Sequence, residues 1–113
     1  MHEVSICESI IDILSDQAAR EGATRVTSVR LRIGEMSGVV EDSLRFAFEV
    51  VSKDTLAEGA ELVIVSVPLA ARCRACAVEF RIEGYAFSCS SCGSPDIEVV
   101  SGREMLVEEI ELQ

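Results

Sequence analysis

The feature that most constrains the fold of this 113-residue chain is a set of four cysteines arranged as two pairs. Two residues separate Cys73 from Cys76, two separate Cys89 from Cys92, and twelve residues lie between the pairs. Two intervening residues let both sulfurs of a pair turn toward one ion, and four thiolates form the closed tetrahedral shell that zinc favours. The spacing is typical of a zinc ribbon, which we expect over residues 70–100.

Two other interpretations of the four cysteines stay open at this point. Paired disulfides would suit a secreted chain, but the start Met1-His2-Glu3 does not resemble a signal peptide. A redox dithiol needs one C-x-x-C motif at the start of a helix in a βαβ setting, and here two motifs occur in a hairpin context. Because four thiolates leave no open coordination position, we expect a structural rather than a catalytic zinc ion.

The segment between the two pairs predicts a short β-hairpin. Its sequences VEFRI and YAFS flank Glu83-Gly84, which we expect at the turn. Gly93 directly follows the second pair, where a positive φ is expected. The segment has few large apolar side chains, so metal binding must contribute heavily to its folding.

Periodicity elsewhere in the chain predicts two helices and three strands. The helices span residues 4–21 and 41–53, and the strands span residues 29–33, 61–67 and 104–112. Gly22 ends the first helix in this prediction, and a turn over residues 34–38 separates the first strand from the second helix.

This element order predicts an α+β fold in which two helices pack on a mainly antiparallel three-stranded sheet, with an inserted zinc-ribbon lobe. We expect one domain to comprise residues 1–67 plus 103–113. The inserted zinc-ribbon domain is expected over residues 68–102, immediately before the last strand. Exchange of a helix or strand at the two junctions would give a homodimer, which the sequence leaves open.

The charge balance bears on the class of partner. The chain carries 20 acidic and 10 basic residues, a formal net charge of −10. This acidity disfavours binding to nucleic acid and to anionic membranes, because both depend on basic residues. With no transmembrane segment and no signal peptide in the sequence, we expect a cytoplasmic protein without a membrane partner.

The fifth cysteine and the single histidine invite different predictions. Cys7 lies on the apolar stripe of the first predicted helix, so we expect it in the core rather than at a metal. His2 is the only histidine of the chain. The terminal amine of Met1, the His2 backbone nitrogen and the imidazole Nδ1 would form adjacent chelate rings suited to Ni(II) or Cu(II). A solvated histidine without a ligand remains the alternative.

The combination of these motifs resembles the HypA/HybF family. The resemblance rests on the Met1-His2-Glu3 start before a helix, the RIGEMSGV stretch at 32–39, the two C-x2-C pairs and the strand after Gly102-Arg103. It covers essentially the whole chain. Members of this family are nickel metallochaperones that serve maturation of [NiFe]-hydrogenases and, in some organisms, urease.

The resemblance implies roles for individual residues. His2 would bind nickel, assisted by the Met1 amine and Glu3, whereas Cys73, Cys76, Cys89 and Cys92 would bind a structural zinc ion. It implies no enzymatic activity. It also implies two partners, a nickel-handling GTPase (HypB) and the hydrogenase large-subunit precursor, with docking around the first helix. The RIGEMSGV stretch is interpreted as a turn without chemistry, with Met36 as a packing residue.

Two other classes of function compete with this one. The first is a zinc-ribbon module that binds protein or nucleic acid, although its lobe offers only Arg72, Arg74 and Arg81 as basic residues before Gly102. The second is a thiol oxidoreductase, which would keep reactive thiols instead of a zinc ion.

Overall fold

A computed structural model describes residues 2–113, with side chains from residue 3 onward. The described chain contains two α-helices, six β-strands and one short 3₁₀ helix. In chain order these are α1 (His2–Glu21), β1 (Val26–Gly34), the 3₁₀ helix (Glu35–Ser37), α2 (Glu41–Val51), β2 (Glu61–Val67), β3 (Ala70–Cys73), β4 (Glu79–Arg81), β5 (Ile97–Ser101) and β6 (Met105–Leu112). Both predicted helices and the three strands predicted outside the cysteine lobe are confirmed.

Helix α1 is amphipathic, as its sequence predicts. Its buried positions recur at intervals of three and four residues, namely Cys7, Ile10, Leu14 and Ala18. The helix ends in a Schellman motif: Gly22 has a φ of 69°, and the next residue donates its N–H to the Ala18 carbonyl at 2.9 Å. Glycine adopts this left-handed conformation without steric cost, which explains why the helix stops there.

The two helices pack against each other and share a core with a three-stranded sheet of order β2-β1-β6. Arg25 and Gln113 exchange backbone hydrogen bonds at the open end of the β1–β6 pair, as antiparallel neighbours do. The core of this part includes Val26, Val29 and Leu31 of β1, Leu44, Ala47 and Phe48 of α2, and Leu62 of β2. The predicted α+β class is therefore confirmed.

The inserted lobe contains a second antiparallel sheet of order β4-β3-β5. Ala71 lies opposite Phe80 on one side and Val99 on the other. The apolar cluster of this sheet consists of Leu69, Ala71 and Ile82, with Phe80, Ile97 and Val99 packed against it. So small a cluster explains why the lobe needs a further source of stability.

The predicted hairpin in this lobe is only partly right. The Ala86 N–H donates to the Glu83 carbonyl at 3.1 Å, so the turn is centred on Gly84-Tyr85, one residue later than predicted. However, residues 85–88 form no strand, and β4 pairs with β3 instead. Residues 85–88 instead connect the turn to Cys89, which lies with the other three cysteines.

The chain divides into two compact units. The helical unit comprises residues up to Arg32, Val39–Val65 and Leu106–Gln113, and the cysteine unit comprises Ile33–Gly38 and Ser66–Met105. The predicted domain boundaries at 68 and 102 stay a prediction. Among the described residues, no helix combines the length and apolar character needed to cross a bilayer.

Candidate metal centre

The four cysteines lie on two turns of nearly identical backbone structure. In the first turn the N–H groups of Ala75 and Cys76 donate to the Cys73 sulfur at 3.3 and 3.4 Å. In the second turn the N–H groups of residues 91 and 92 donate to the Cys89 sulfur, both at 3.3 Å. Cys73 and Cys89 are buried, whereas the second cysteine of each turn is exposed. Each turn therefore supplies one buried sulfur with two N–H donors and one outer sulfur.

The two turns bring the four sulfur atoms together. Cys73 lies 3.6 Å from Cys92, Cys76 lies 3.6 Å from Cys89, and all four sulfurs are within 4.8 Å of one another. A tetrahedral zinc ion with Zn–S bonds of about 2.3 Å requires sulfurs about 3.8 Å apart. A disulfide would instead need about 2.05 Å, and all five cysteines are free thiols. The arrangement fits a four-thiolate metal site.

Electrostatics within the cluster also favour a cation. The N–H donors of Cys92 and Ser91 lower the pKa of Cys89 to about 6. At Cys92 an N–H donor from Ser94 favours the thiolate, but the adjacent sulfurs of Cys73 and Cys89, together with burial, raise its pKa to about 11. Four sulfurs this close cannot all be deprotonated unless a positive charge lies between them.

The amino-terminal residues predicted to bind nickel fall mostly outside the described part of the chain. Met1 and the side chain of His2 are not described. The structure shows that helix α1 begins at His2, and that Glu3 lies in its first turn with a half-buried side chain. The roles predicted for these three residues remain predictions.

Cys7 is not a member of the four-cysteine cluster, as predicted. Its side chain is fully buried, and its sulfur lies 3.7 Å from the Leu44 carbonyl oxygen of α2. Burial raises the pKa of the Cys7 thiol to about 11, with a smaller contribution from the charge of Glu3. The prediction of a core residue is confirmed.

The family model described as hydrogenase/urease nickel incorporation metallochaperone, HypA, matches residues 1–112. The chain belongs to the HypA family. The hydrogenase maturation factors HypA of Geobacter metallireducens and Geotalea uraniireducens are 45% and 42% identical over 113 residues, with each chain covered completely. The predicted family resemblance is therefore confirmed.

Solved HypA structures share the fold. The solution structure of the nickel metallochaperone HypA from Helicobacter pylori aligns with a TM-score of 0.70 and 26% identity, covering 97% of this chain and 96% of the other. A second solution structure, described as HypA protein, aligns with a TM-score of 0.76 and 26% identity, covering 100% and 97%. The likeness to solved HypA structures thus covers nearly the whole chain.

The RIGEMSGV stretch of this HypA-family chain does more than the sequence indicates. Glu35 accepts a hydrogen bond from the Leu69 N–H at 2.8 Å and forms an ion pair with Arg81 at 3.3 Å. Met36 was expected to pack, but it is 38% exposed. No periodicity or spacing connects residue 35 with residues 69 and 81, so sequence reasoning could not identify Glu35 as a contact residue.

Proposed function

We propose that this protein binds one Ni(II) ion at its amino terminus through His2 and delivers it during [NiFe]-hydrogenase maturation, with a zinc ion at the four cysteines serving structure alone. The observation that carries the proposal is the match to the nickel-incorporation family over residues 1–112. A carrier must release its ion, which suits an incompletely saturated site at a chain terminus.

The sulfur geometry supports zinc as the ion of the cysteine cluster. Cys73, Cys76, Cys89 and Cys92 would supply all four ligands, so the ion would have no open position for water or substrate. Its contribution would be to hold the lobe folded, because the apolar cluster of Leu69, Ala71 and Ile82 is small.

The chemistry of the amino terminus supports nickel there. The imidazole of His2, the amine of Met1 and adjacent backbone nitrogen form the nitrogen-rich donor set that square-planar Ni(II) accepts. Glu3 adds a carboxylate in the first turn of α1. Both the imidazole and the amine must lose protons to bind the ion, so nickel affinity falls on acidification.

The acidic partners of the lobe's arginines count against the alternative of a nucleic-acid-binding zinc ribbon. Its three candidate arginines all face carboxylates: Arg72 pairs with Glu79 at 2.6 Å, Arg74 with Asp96 at 3.1 Å, and Arg81 with Glu35 at 3.3 Å. The neighbouring carboxylates offset the positive charge of these arginines, which lowers the electrostatic attraction for phosphate. The proposal therefore retains no nucleic-acid partner.

Metal stoichiometry of the untagged protein tests the nickel site. We expect one zinc and one nickel per chain in the wild type, and zinc alone in His2→Ala, by elemental analysis and calorimetry. Extension of the chain ahead of Met1 should also weaken nickel binding, because it converts the amine into an amide. Unchanged nickel affinity in His2→Ala would refute the amino-terminal site.

A matched control separates the two metal sites. Cys7→Ala removes a cysteine outside the four-cysteine cluster and should retain both metals. If nickel instead occupied the cysteine cluster, thiolate-to-nickel charge-transfer absorption would appear in the near ultraviolet and would persist in His2→Ala. That spectrum would contradict the proposed assignment of the two metals.

The proposed function includes two macromolecular partners and a compartment. We propose that the GTPase HypB cooperates with this chain in the cytoplasm, and that the hydrogenase large-subunit precursor receives the nickel. The family description also names urease, which would be a second recipient. Nickel transfer from the loaded protein to the purified precursor tests the recipient directly, with His2→Ala taken through the same nickel-loading procedure as the control.

A further inference from the structure

Along the sequence, Ile33–Gly38 lies between two stretches of the helical unit, but its contacts are with the cysteine unit. It joins β1 to α2, the second helix of the helical unit. Its contacts nevertheless place it in the cysteine unit, together with Ser66–Met105. The segment therefore makes contacts with residues more than 30 positions away along the chain, such as that of Glu35 with Leu69.

The backbone of the segment is held by the connection between β5 and β6. The Gly34 N–H donates to the Glu104 carbonyl at 2.6 Å, and the Met36 N–H donates to the Gly102 carbonyl at 2.8 Å. A Cβ atom on Gly34 would lie 2.1 Å from the Gly102 carbonyl oxygen. Only glycine permits so close an approach of two backbones.

The side chain of Glu35 adds a second attachment. One carboxylate oxygen accepts the N–H of Leu69 at 2.8 Å, and the other pairs with the Arg81 guanidinium at 3.3 Å. These partners lie just before β3 and at the end of β4, and the Ile82 N–H joins the same two strands by donating to the Leu69 carbonyl at 2.8 Å. Donors from Leu69 and Arg81 hold the pKa of the Glu35 carboxyl below its ordinary value.

Leu69, Arg81 and Gly102, three of the residues that the segment contacts, lie on elements that lead to or from the cysteine cluster. Strand β3 ends at Cys73, and the Cys73 N–H donates to the Val78 carbonyl immediately before β4. Strand β5 starts five residues after Cys92. Because metal binding supplies much of the folding free energy of so small a lobe, loss of the metal would disperse these partners.

We propose that residues 33–38 form a zinc-dependent clasp, which is ordered only while the four cysteines hold their metal ion. Zinc occupancy then sets the order of the connection that leads into α2. The inference rests on the proposed structural zinc site and adds to it a defined consequence at a distant point of the chain. The competing possibility is that β1 and α2 order the segment by themselves.

Hydrogen exchange of the full, untagged chain, measured by mass spectrometry, distinguishes these possibilities. On removal of zinc with a chelator we expect amides of residues 33–38 to exchange roughly tenfold faster or more, together with those of residues 70–82. Peptides from the buried middle of α1 should keep their protection. Loss of protection at 70–82 with unchanged protection at 33–38 would overturn the clasp while leaving the zinc site intact. No change at either segment would overturn the structural zinc site and the clasp with it.

A variant tests the clasp with zinc in place. Glu35→Ala should accelerate exchange at residues 33–38 while the zinc content and the protection of residues 70–82 are retained. Glu35 and Glu83 both line a cavity of about 290 Å³. Glu83→Ala is therefore the matched control and should change neither segment. Equal exchange at 33–38 in both variants would contradict the role of Glu35.

Discussion

Ala77 and Gly93 occupy the same position in the two cysteine turns. Their φ angles are 67° and 76°, and each donates its N–H at 2.9 Å to the carbonyl of the first cysteine of its own turn. A positive φ suits glycine but strains alanine. One of the two turns is therefore built with a residue that its backbone conformation disfavours.

Because the two positions are equivalent, two substitutions should have opposite effects on the stability of the protein. Ala77→Gly should stabilise the zinc-loaded protein by about 0.5 kcal/mol, since relief of strain exceeds the added chain entropy of glycine. Gly93→Ala should destabilise it by about 1 kcal/mol. Urea unfolding of both variants against the wild type measures the difference, and a loss of stability in Ala77→Gly would show that the two turns are not equivalent.

The close approach of two glycines predicts a strong effect at Gly34. Gly34→Ala should destabilise the protein by about 3 kcal/mol, because its Cβ has no room beside the Gly102 carbonyl. Gly38→Ala is the matched control in the same segment: its φ is 77°, but no atom lies within 4 Å of the added Cβ. Its cost should be about 1 kcal/mol. Equal melting temperatures of the two variants would contradict the steric explanation.

The division of the five cysteines predicts two classes of variant. Cys76→Ser should lose the zinc ion and unfold the cysteine lobe, since a four-ligand site with three thiolates binds far more weakly. Cys7→Ala should retain zinc and cost on the order of 1 kcal/mol in packing. Native mass spectrometry and circular dichroism measure both properties. A full complement of zinc in Cys76→Ser would count against the four-thiolate site.

The pKa of Cys7 predicts a loss of stability at high pH. In the folded protein the thiol stays protonated to about pH 11, whereas in the unfolded chain it loses its proton near pH 8.5. The folded state thus binds more protons than the unfolded state in this window, so stability falls as pH rises through it. By pH 10 the effect should reach about 2 kcal/mol. Urea unfolding at pH 8 and pH 10 should show a steeper loss in the wild type than in Cys7→Ala.

Much of the helical unit follows from local patterns. Strand β2 has the predicted bounds because its β-branched run is continuous, and α1 ends at the glycine that its sequence indicates. Strand β1 begins at Val26, three residues before the predicted start. The prediction missed these residues because Thr27 and Ser28 interrupt the alternation of apolar and polar residues. Strands β3 and β5 escape sequence prediction, since their pairing joins segments brought together by the two cysteine turns.

The candidate metal centre also has one part that the sequence predicts and one part that it does not. The spacing of the cysteines predicts their cluster, because two short loops with identical spacing can direct four sulfurs to one point. The contact of Glu35 with Leu69 depends on the fold of the whole cysteine unit, and no pattern near residue 35 encodes it. Long-range contacts through single hydrogen bonds leave no periodic trace in a sequence.

The course of the chain through its two units has a consequence for engineering. Because Ile33–Gly38 lies in the cysteine unit and Ser66–Met105 completes it, that unit is assembled from two separate stretches. A fragment cut at residues 66 and 105 would leave behind the partners of Gly102 and Leu69. Two cuts therefore cannot excise the cysteine unit whole. Any graft of it into another scaffold must also carry the second stretch of sequence, around Glu35.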